Sequence, residues 1–390
     1  MFSLLRHVTK EEAAIEAGRP GNLYNRVELA GAFGDLGTLI PFVLAYIAIL
    51  HLDPVAVLLA FGVSKVLVGL YYRTPIPVQP MKVIGSAAVT QGGITPGMVY
   101  GAGLVTGLVW LVLGATGLIQ RVARLCPQAV TTGIVLGLGF MFMLEGIRLM
   151  AADLLLAVPG VLLTYALLSN RRLPAMFVLL VLGAIVALVR DSSLLPAVLA
   201  VPISFKLPFF PLAGLSWDDL GRGALLLALP QIPLTLGNAV IAITAENNAL
   251  FPQRRVSERE VSLTTGGMNL LSAALGGVPL CHGAGGMAGH VRFGARTGGA
   301  LVMLGLVLVG LALFFSETTQ LVFQAFPSPI LGVVLFFAGL ELAATTRADA
   351  SKSDFHITLL TAALATFNMA AAFVGGILLY HALRKKWTKL

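Results

Sequence analysis

Two stretches of this chain place polar side chains in front of apolar runs that are too short to cross a membrane. Gln79 and Lys82 stand at the start of the run 80–91, and His282 precedes the run 283–294. A spanning helix needs about 20 apolar residues, so each of these helices would stop at membrane depth. Free backbone N–H groups at that depth are tolerated beside protein or a water-filled cavity, where secondary transporters bind their substrates.

The chemistry that such a pair of half-helices predicts is anion binding. Each half-helix of about 12 residues would be about 18 Å long, so their N-termini, predicted at Pro80 and Gly283, would face each other near the midplane. Each N-terminus carries about +0.5 charge and free N–H donors, so together they offer about one unit of positive charge. Uncharged hydrogen-bond donors would complete the coordination of the anion. A site without fixed arginines can also release its ligand.

The polar residues beside this gap each have a functional and a structural interpretation. Gln79 either donates an amide hydrogen to an oxyanion or caps exposed backbone. Lys82 lies in the first turn of a helix, where the dipole disfavours a cation. An anionic substrate, a partner such as Asp35, or access to water would each explain its position. His282 is either a ligand donor or a local hydrogen-bonding residue, and His290 is interpreted as structural.

A further set of polar residues lies in the segments that precede the half-helices. Asp35, within GAFGDLGT, is an intramembrane carboxylate, which is costly and usually functional. It would pair with Lys82, carry a coupling proton, or form a fixed hydrogen-bonded lock. Its repeat counterpart, Asn238, is neutral.

A pair of prolines marks the segment that contains Asn238. Gln231 stands between Pro230 and Pro233, and a helix interrupted there would aim Gln231 and Thr235 inward. The alternative is an amide that satisfies the backbone at a kink.

Composition places the chain in the bilayer. Its 390 residues are 57% hydrophobic and 11% charged, with a mean hydropathy of +0.90, whereas soluble domains are about 25% charged. Cys126 and Cys281 show neither disulfide nor metal-site spacing, and we expect no metal and no cofactor. Residues 1–26 lack the apolar region of a cleavable signal peptide.

The apolar runs predict an all-α polytopic membrane protein of about 14 segments. A repeat offset of 203 residues aligns Pro75 with Val278 and Asp35 with Asn238. Seven segments per repeat invert the second repeat relative to the first, and each repeat holds one half-helix preceded by a short strand. The predicted boundaries are: cytosolic segment 1–26; first repeat 27–190, with core 27–119 and gate 128–190; extracytoplasmic connection 191–222; second repeat 223–384, with core 223–315 and gate 328–384; and cytosolic tail 385–390.

The basic residues support this topology. With a cytosolic N-terminus, twenty lysines and arginines fall inside and four outside, namely Arg148, Arg190, Lys206 and Arg222. Lys65 and Lys82 fall within membrane segments. This positive-inside bias explains the net charge of +8 without any nucleic-acid partner. We therefore expect a multi-pass protein of the cell membrane with both termini in the cytoplasm.

Several long motifs resemble the molybdate transporter type 1 family, which is related to the sulfate permeases. They are PIPVQPMK, LTLGNAV, NALFP and PLCHGAGGMAGHVRFGARTGG, and the similarity runs from Arg26 to Leu379. The resemblance implies the inverted seven-plus-seven fold of uracil transporter-like proteins, with a core domain that carries the substrate. It also implies a gate domain that provides the homodimer contacts. The binding region implied by the resemblance comprises Gln79, Pro80, Gln231, Asn238, His282, Gly283, Ala284 and Gly285.

The resemblance implies transport of a tetrahedral oxyanion, molybdate first, by alternating access. Sulfate is the alternative substrate within the same fold, and an anion channel is a more distant alternative. We expect no catalytic residues and no enzymatic activity. Because the sequence ends soon after its last apolar run, we also expect no regulation through the C-terminal STAS domain found in most sulfate permeases.

Overall fold

The structure of the protein is a computed structural model that describes residues 21–119, 127–167, 175–208, 210–344 and 351–384. Its regular elements are helices and two very short strands, β1 (Gln79–Pro80) and β2 (Leu280–Cys281). Each of the fourteen apolar runs predicted from the sequence contains a helix. The prediction of an all-α polytopic protein with two strand-preceded half-helices is therefore confirmed.

The helices of the two halves follow one another in corresponding order. Those of the first half are α1 (Arg26–Ala32), α2 (Leu36–Ala48), α3 (Pro54–Tyr72), α4 (Lys82–Thr90), α5 (Pro96–Thr116), α6 (Gln128–Met150), α7 (Leu154–Leu167), α8 (Ala175–Arg190) and α9 (Leu194–Ala200). Those of the second half are α10 (Trp217–Leu250), α11 (Glu258–Ala274), α12 (Ala284–Arg292), α13 (Gly299–Phe314), α14 (Ser316–Gln324), α15 (Ser328–Ala344), α16 (Lys352–Ala365) and α17 (Met369–Arg384).

Length and apolarity agree with a membrane location. Among the described helices, α3, α5, α6 and α10 are each long and apolar enough to cross a bilayer. Three further candidates are bent pairs, in which α1 meets α2 at 56°, α8 meets α9 at 106° and α13 meets α14 at 91°. The break between α1 and α2 is a 3₁₀ turn, Phe33–Asp35, so Asp35 lies where a spanning helix changes direction.

Helix ends follow local sequence rules. The Asp53 side chain accepts from Val55 N, Pro54 occupies the first turn of α3, and Arg73 ends that helix in a left-handed conformation with φ 56°. Thr95 caps α5 in the same way by accepting from Met98 N. These caps satisfy N–H groups that the helix itself leaves unpaired, so they set where the segments begin.

Helices of one half pack against helices of the other half through mutual glycine contacts. A methyl group on Gly62 would lie 2.8 Å from Gly305 O, and one on Gly305 would lie 2.6 Å from Gly62 O. Gly69 and Gly298 repeat this arrangement one heptad away on α3 and α13. Glycine lets two helix backbones approach closely. By the repeat offset, α3 corresponds to α11 and α13 to α5, and α5 and α11 also pack together.

The same arrangement recurs between α6 and α15. The Gly139 and Gly339 backbones meet in both directions, and so do those of Gly146 and Gly332. Helix α5 also packs against α11, where a methyl group on Gly266 would meet Gly107 O at 2.9 Å. The core of the protein is therefore assembled between the halves.

Three sequence predictions about local structure were wrong. Helix α10 is not interrupted at Pro230 and Pro233, because π-helical turns at Gly223–Ala228 and Thr235–Ile241 absorb the register change. The half-helices have nine residues each, whereas about 12 were predicted. Pro80 lies in β1 and does not begin a helix.

The connection predicted at 191–222 is partly helical. It contains α9 and the start of α10, which begins at Trp217, six residues before the predicted boundary. Trp217 is 88% exposed.

Candidate functional site

The two strands meet in the middle of the protein and bring the starts of the half-helices together. They form an antiparallel pair with Gln79 opposite Cys281 and Pro80 opposite Leu280. Met81 N, just beyond β1, also donates to Pro279 O at 2.8 Å. Because α4 follows β1 and α12 follows β2, this one ribbon fixes the position of both helix N-termini.

The N-terminus of α4 is already occupied by a side chain. Gln231, which is buried on α10, accepts from Val83 N at 2.8 Å and from Ile84 N at 3.4 Å through its Oε1 atom. Its Nε2 atom donates to Thr235 Oγ1 at 2.7 Å. Gln231 and Thr235 therefore point inward as predicted, and Gln231 caps the half-helix.

The N-terminus of α12 is arranged differently. Gly283 stands at its N-cap position and no side chain caps the helix. The fully buried Gln79 carboxamide lies here, and neither its Oε1 nor its Nε2 atom has a hydrogen-bond partner among the described residues. An unsatisfied buried amide is costly, so it indicates a missing polar ligand.

Two glycines make room for that carboxamide. A methyl group added to Gly283 would lie 2.2 Å from Gln79 Oε1, and one added to Gly286 would lie 2.4 Å from Gln79 Nε2. Asn238 of α10 reaches the same place, with its Nδ2 atom 3.5 Å from the position of that Gly283 methyl. Gln79 and Asn238 are therefore two amide side chains beside the free end of α12.

The site also has an open side. Gly237 of α10 and Gly285 of α12 are exposed, and a side chain added to either would meet no atom within 4 Å. Ala284, between Gly283 and Gly285, is half-buried. Open space therefore lies next to Asn238 on α10 and within two residues of Gly283 on α12.

His282 is held by the protein through both ring nitrogens. Its Nδ1 atom lies 2.8 Å from Pro77 O, which can only accept, so Nδ1 carries the proton. Its Nε2 atom lies 3.1 Å from Thr264 Oγ1, which in turn lies 2.6 Å from the Tyr72 hydroxyl. These contacts favour a positioning role for His282, and its role as a ligand donor stays a prediction.

Two residues missed in the sequence hold β2 in place. Asn269 of α11 donates to Leu280 O at 2.7 Å and accepts from Leu280 N at 2.9 Å. Ser272, one turn later, donates to Val278 O at 2.6 Å. The available signal was a pair of polar residues three positions apart in an apolar segment, directly before the half-helix.

Lys82 begins α4 and is half-buried. Within the described ranges its ammonium group has no hydrogen bond or ion pair to another residue. The predicted pairing of Lys82 with Asp35 is wrong, because Asp35 lies against the far end of α12. There Gly34 and Gly289 are in direct backbone contact.

The partner of Asp35 is Lys65 of α3, whose Nζ atom lies 2.9 Å from Asp35 Oδ2, and both side chains are fully buried. His290, in the last turn of α12, places its Nε2 atom 3.4 Å from the same oxygen. Lys65 was visible in the sequence as a cation inside an apolar run, but nothing there indicated its partner.

The structure thus brings together Gln79, Pro80, Gln231, Thr235, Asn238, His282, Gly283, Ala284 and Gly285 around one ribbon, with Lys82 beside it. Asp35 lies apart from them, at the opposite end of α12. In the part of the chain that the structure describes, no cluster of His, Cys, Asp and Glu could hold a metal ion.

Comparison with known proteins identifies the family of the chain. The profile of a family described as "Molybdate transporter of MFS superfamily" matches residues 27–142 and 223–342, one block in each half. Two similar relatives are Arabidopsis thaliana proteins named Molybdate transporter 2, 33% identical, and Molybdate transporter 1, 31% identical. Their alignments cover 92% and 90% of this chain and 87% of each relative.

Solved structures show the fold. The transmembrane domain of the cyanobacterial bicarbonate transporter BicA superposes with a TM-score of 0.67 at 18% identity, covering 91% of this chain and 99% of that one. The murine anion transporter Slc26a9 in its inward-facing state gives a TM-score of 0.68 at 14% identity, covering 97% of this chain and 71% of that one. With the family profile matched in both halves and the relatives aligned over most of their length, the chain belongs to the molybdate transporter family.

Proposed function

We propose that this protein is a secondary active transporter that takes up molybdate by alternating access. The observation that carries the proposal is the fully buried, unpartnered carboxamide of Gln79 at the uncapped N-terminus of α12. The family and the fold are those of membrane anion transporters. No catalytic residue is assigned.

A tetrahedral dianion fits the donors around that carboxamide. The first-turn amides of α12, Gln79 Nε2 and Asn238 Nδ2 are neutral donors, and the helix end adds about half a positive charge. The Lys82 side chain, which has no ion pair among the described residues, would add positive charge nearby when it is protonated. The donors leave a dianion only partly neutralised, which suits a carrier that must release its cargo.

Alternating access would be a rigid motion of a core domain against a gate domain. We assign α1 to α5 and α10 to α13 to a core domain that carries the anion, and the segments 128–190 and 328–384 to a gate domain. The reciprocal glycine contacts of α3 with α13 and of α6 with α15 lie within these two groups, which supports the division. The gate would also form a homodimer, and the positive-inside charge pattern supports a cell-membrane location with cytoplasmic termini.

Proton coupling belongs to the same proposal, with Asp35 as the candidate residue. Protonation of Asp35 would leave Lys65 without its counter-ion, so a coupled proton would change the charge of a buried group. Asp35→Asn should abolish any pH dependence of accumulation, and unchanged accumulation would exclude this residue.

The first test is calorimetric titration of the purified protein with molybdate and with sulfate. We expect roughly micromolar or tighter molybdate binding, weaker sulfate binding, and an affinity at least about tenfold lower in Gln79→Ala, because a hydrogen bond to a charged ligand is worth about 1.5–3 kcal/mol. Gln253→Ala, in an exposed loop, is the matched control and should bind like wild type.

Other outcomes separate the alternatives. Preference for sulfate would assign the protein to sulfate transport with the same site. Molybdate flux that does not saturate would support an anion channel. Binding of neither anion would refute the proposal.

A further inference from the structure

Three buried ionisable side chains meet at the end of α12 that lies away from the substrate site. They are Asp35 in the turn between α1 and α2, Lys65 on α3, and His290 in the last turn of α12, all fully buried. Asp35 Oδ1 and His290 Nε2 have no hydrogen-bond partner among the described residues. The mechanism described so far gives no role to His290.

The hydrogen bonding of His290 fixes where one of its protons lies. His290 Nδ1 is 2.8 Å from Gly31 O, and because a carbonyl oxygen can only accept, Nδ1 carries a proton. In neutral histidine Nε2 then bears a lone pair, which here faces the Asp35 carboxylate at 3.4 Å. A lone pair opposite a carboxylate is unfavourable, and one added proton turns this contact into a charge-assisted hydrogen bond.

We infer that His290 and Asp35 form a proton-binding site in which His290 Nε2 accepts the coupling proton and Lys65 keeps Asp35 ionised. This inference rests on the proposed transport function and changes its coupling residue from Asp35 alone to the Asp35–His290 pair. The proton comes from the solution on one side of the membrane and is returned on the other, with no other bond made or broken. The net charge of Asp35, Lys65 and His290 together changes from zero to +1.

Helix α12 connects this site to the anion. The anion lies at its N-terminus, and His290 lies in its last turn, where a cation interacts favourably with the helix dipole. The direct backbone contact of Gly289 with Gly34 holds that last turn against the Asp35 turn. A positive charge here and a dianion at the other end of one short helix stabilise each other, and such coupling is reciprocal.

Other charged groups near Asp35, Lys65 and His290 lie on α12 itself and on the elements packed against it. The elements packed against α12 are α1, the turn with Asp35, and the last part of α10. Glu28 of α1 accepts from Arg296 N and Thr297 N, beyond the end of α12. Glu246 is on α10, and Arg292 follows His290 on α12 itself.

The test uses the full chain in proteoliposomes with labelled molybdate and the membrane potential clamped at zero. At equal pH on both sides, wild type and His290→Gln should both exchange molybdate measurably, which shows that the variant is folded and inserted, and the gradient response of each protein is expressed relative to its own exchange. With the outside about one pH unit more acidic, wild type should accumulate about tenfold more molybdate per coupled proton. His290→Gln should lose this gain, because its amide can still donate to Gly31 O but cannot take up a proton.

The control is His356→Gln, an exposed histidine bonded to Lys352 O, which should respond to the gradient like wild type. Full gradient response in His290→Gln would overturn the inference while leaving the proposed function intact. So would wild-type molybdate exchange that ignores the gradient. Absence of molybdate exchange in wild type would instead refute the proposed function.

A second measurement covers the case in which His290→Gln does not fold. Molybdate binding to wild type is measured by calorimetry in buffers of different ionisation enthalpy, which reports protons taken up with the anion. We expect net proton uptake within about pH 5–8, greatest where the free site is unprotonated and the molybdate-bound site is protonated. Binding without proton uptake across that range would overturn the inference without any variant.

Discussion

The two half-helices occupy equivalent places in the two repeats, yet their N-termini are used differently. The first-turn amides of α4 are hydrogen-bonded to Gln231, whereas α12 has no side-chain cap and faces the unpartnered Gln79. Symmetry of the fold therefore does not extend to the site. Most of the helix-end charge available to an anion comes from α12, about half a unit where the sequence predicted a full one.

The strands in front of these helices also differ, because side chains of a neighbouring helix hold β2 in place and the equivalent positions beside β1 lack them. β2 is clamped by Asn269 and Ser272 of α11, and His282 links it to Thr264. At the positions of α3 that correspond to Asn269 and Ser272 by the repeat offset, the residues are Val66 and Gly69, which cannot form such a clamp. The half that presents its amides to the ligand is thus the half whose backbone is fixed more firmly by side chains.

The largest effect is expected from Gly283→Ala. The added methyl group would overlap Gln79 Oε1 and displace the carboxamide from the end of α12. Molybdate affinity should fall at least about a hundredfold, close to 3 kcal/mol, as measured by calorimetry. Gly267→Ala on α11, where a side chain meets no atom within 4 Å, is the matched control. Unchanged affinity in Gly283→Ala would mean that the anion does not bind at α12.

An intermediate effect, on stability, is expected from Gln231→Ala. This change removes the cap of α4 and should lower the free energy of unfolding by about 1–3 kcal/mol, while molybdate affinity changes less than about threefold. Gln79→Ala should do the reverse, because that carboxamide has no protein partner to lose. Thermal unfolding and molybdate titration of both variants should show a loss of stability in Gln231→Ala and a loss of affinity in Gln79→Ala. A collapse of affinity in Gln231→Ala would show that the anion also contacts the α4 side.

The smallest effect is expected from Tyr72→Phe. It removes the hydroxyl group that contacts Thr264 behind His282, which should lower the free energy of unfolding by about 0.5–1.5 kcal/mol. Molybdate affinity should stay within about threefold of wild type. The neighbouring Tyr71 is 60% exposed, so Tyr71→Phe should leave both quantities unchanged. If Tyr72→Phe weakens binding as strongly as Gly283→Ala, His282 contacts the anion directly.

Much of the architecture was predictable because it depends on local sequence. Pro75 and Pro77 favour extended backbone, the glycine-rich string after His282 favours close helix packing, and the apolar runs set the helices. The clustering of Gln79 with Gly283 followed from two broken helices placed in inverted repeats and from the family resemblance. Helix α4 begins two residues later than predicted because Pro80 pairs with Leu280, and strand pairing across 200 residues is not visible in either segment alone.

The side-chain partners could not be predicted, because each lies on a different helix. Lys65 was recognised as an intramembrane cation, yet choosing between it and Lys82 as the partner of Asp35 required the packing of α3 against the second half. Gln231 was expected to point inward, but its contact with α4 depends on the π-helical turns that rotate α10. Proline pairs in a helix indicate a distortion without indicating its form.

The ribbon of β1 and β2 also bears on how the protein is made. When residue 80 leaves the ribosome, the partner of its strand is 200 residues from being synthesised, since Pro80 pairs with Leu280. At about 5–20 residues per second, that delay lasts about 10–40 s. During this delay, the inserted first half exposes the unpaired backbone of β1 and the glycines of α3 and α6 that later contact α13 and α15. Folding of the first half is therefore completed only after the second half has been synthesised.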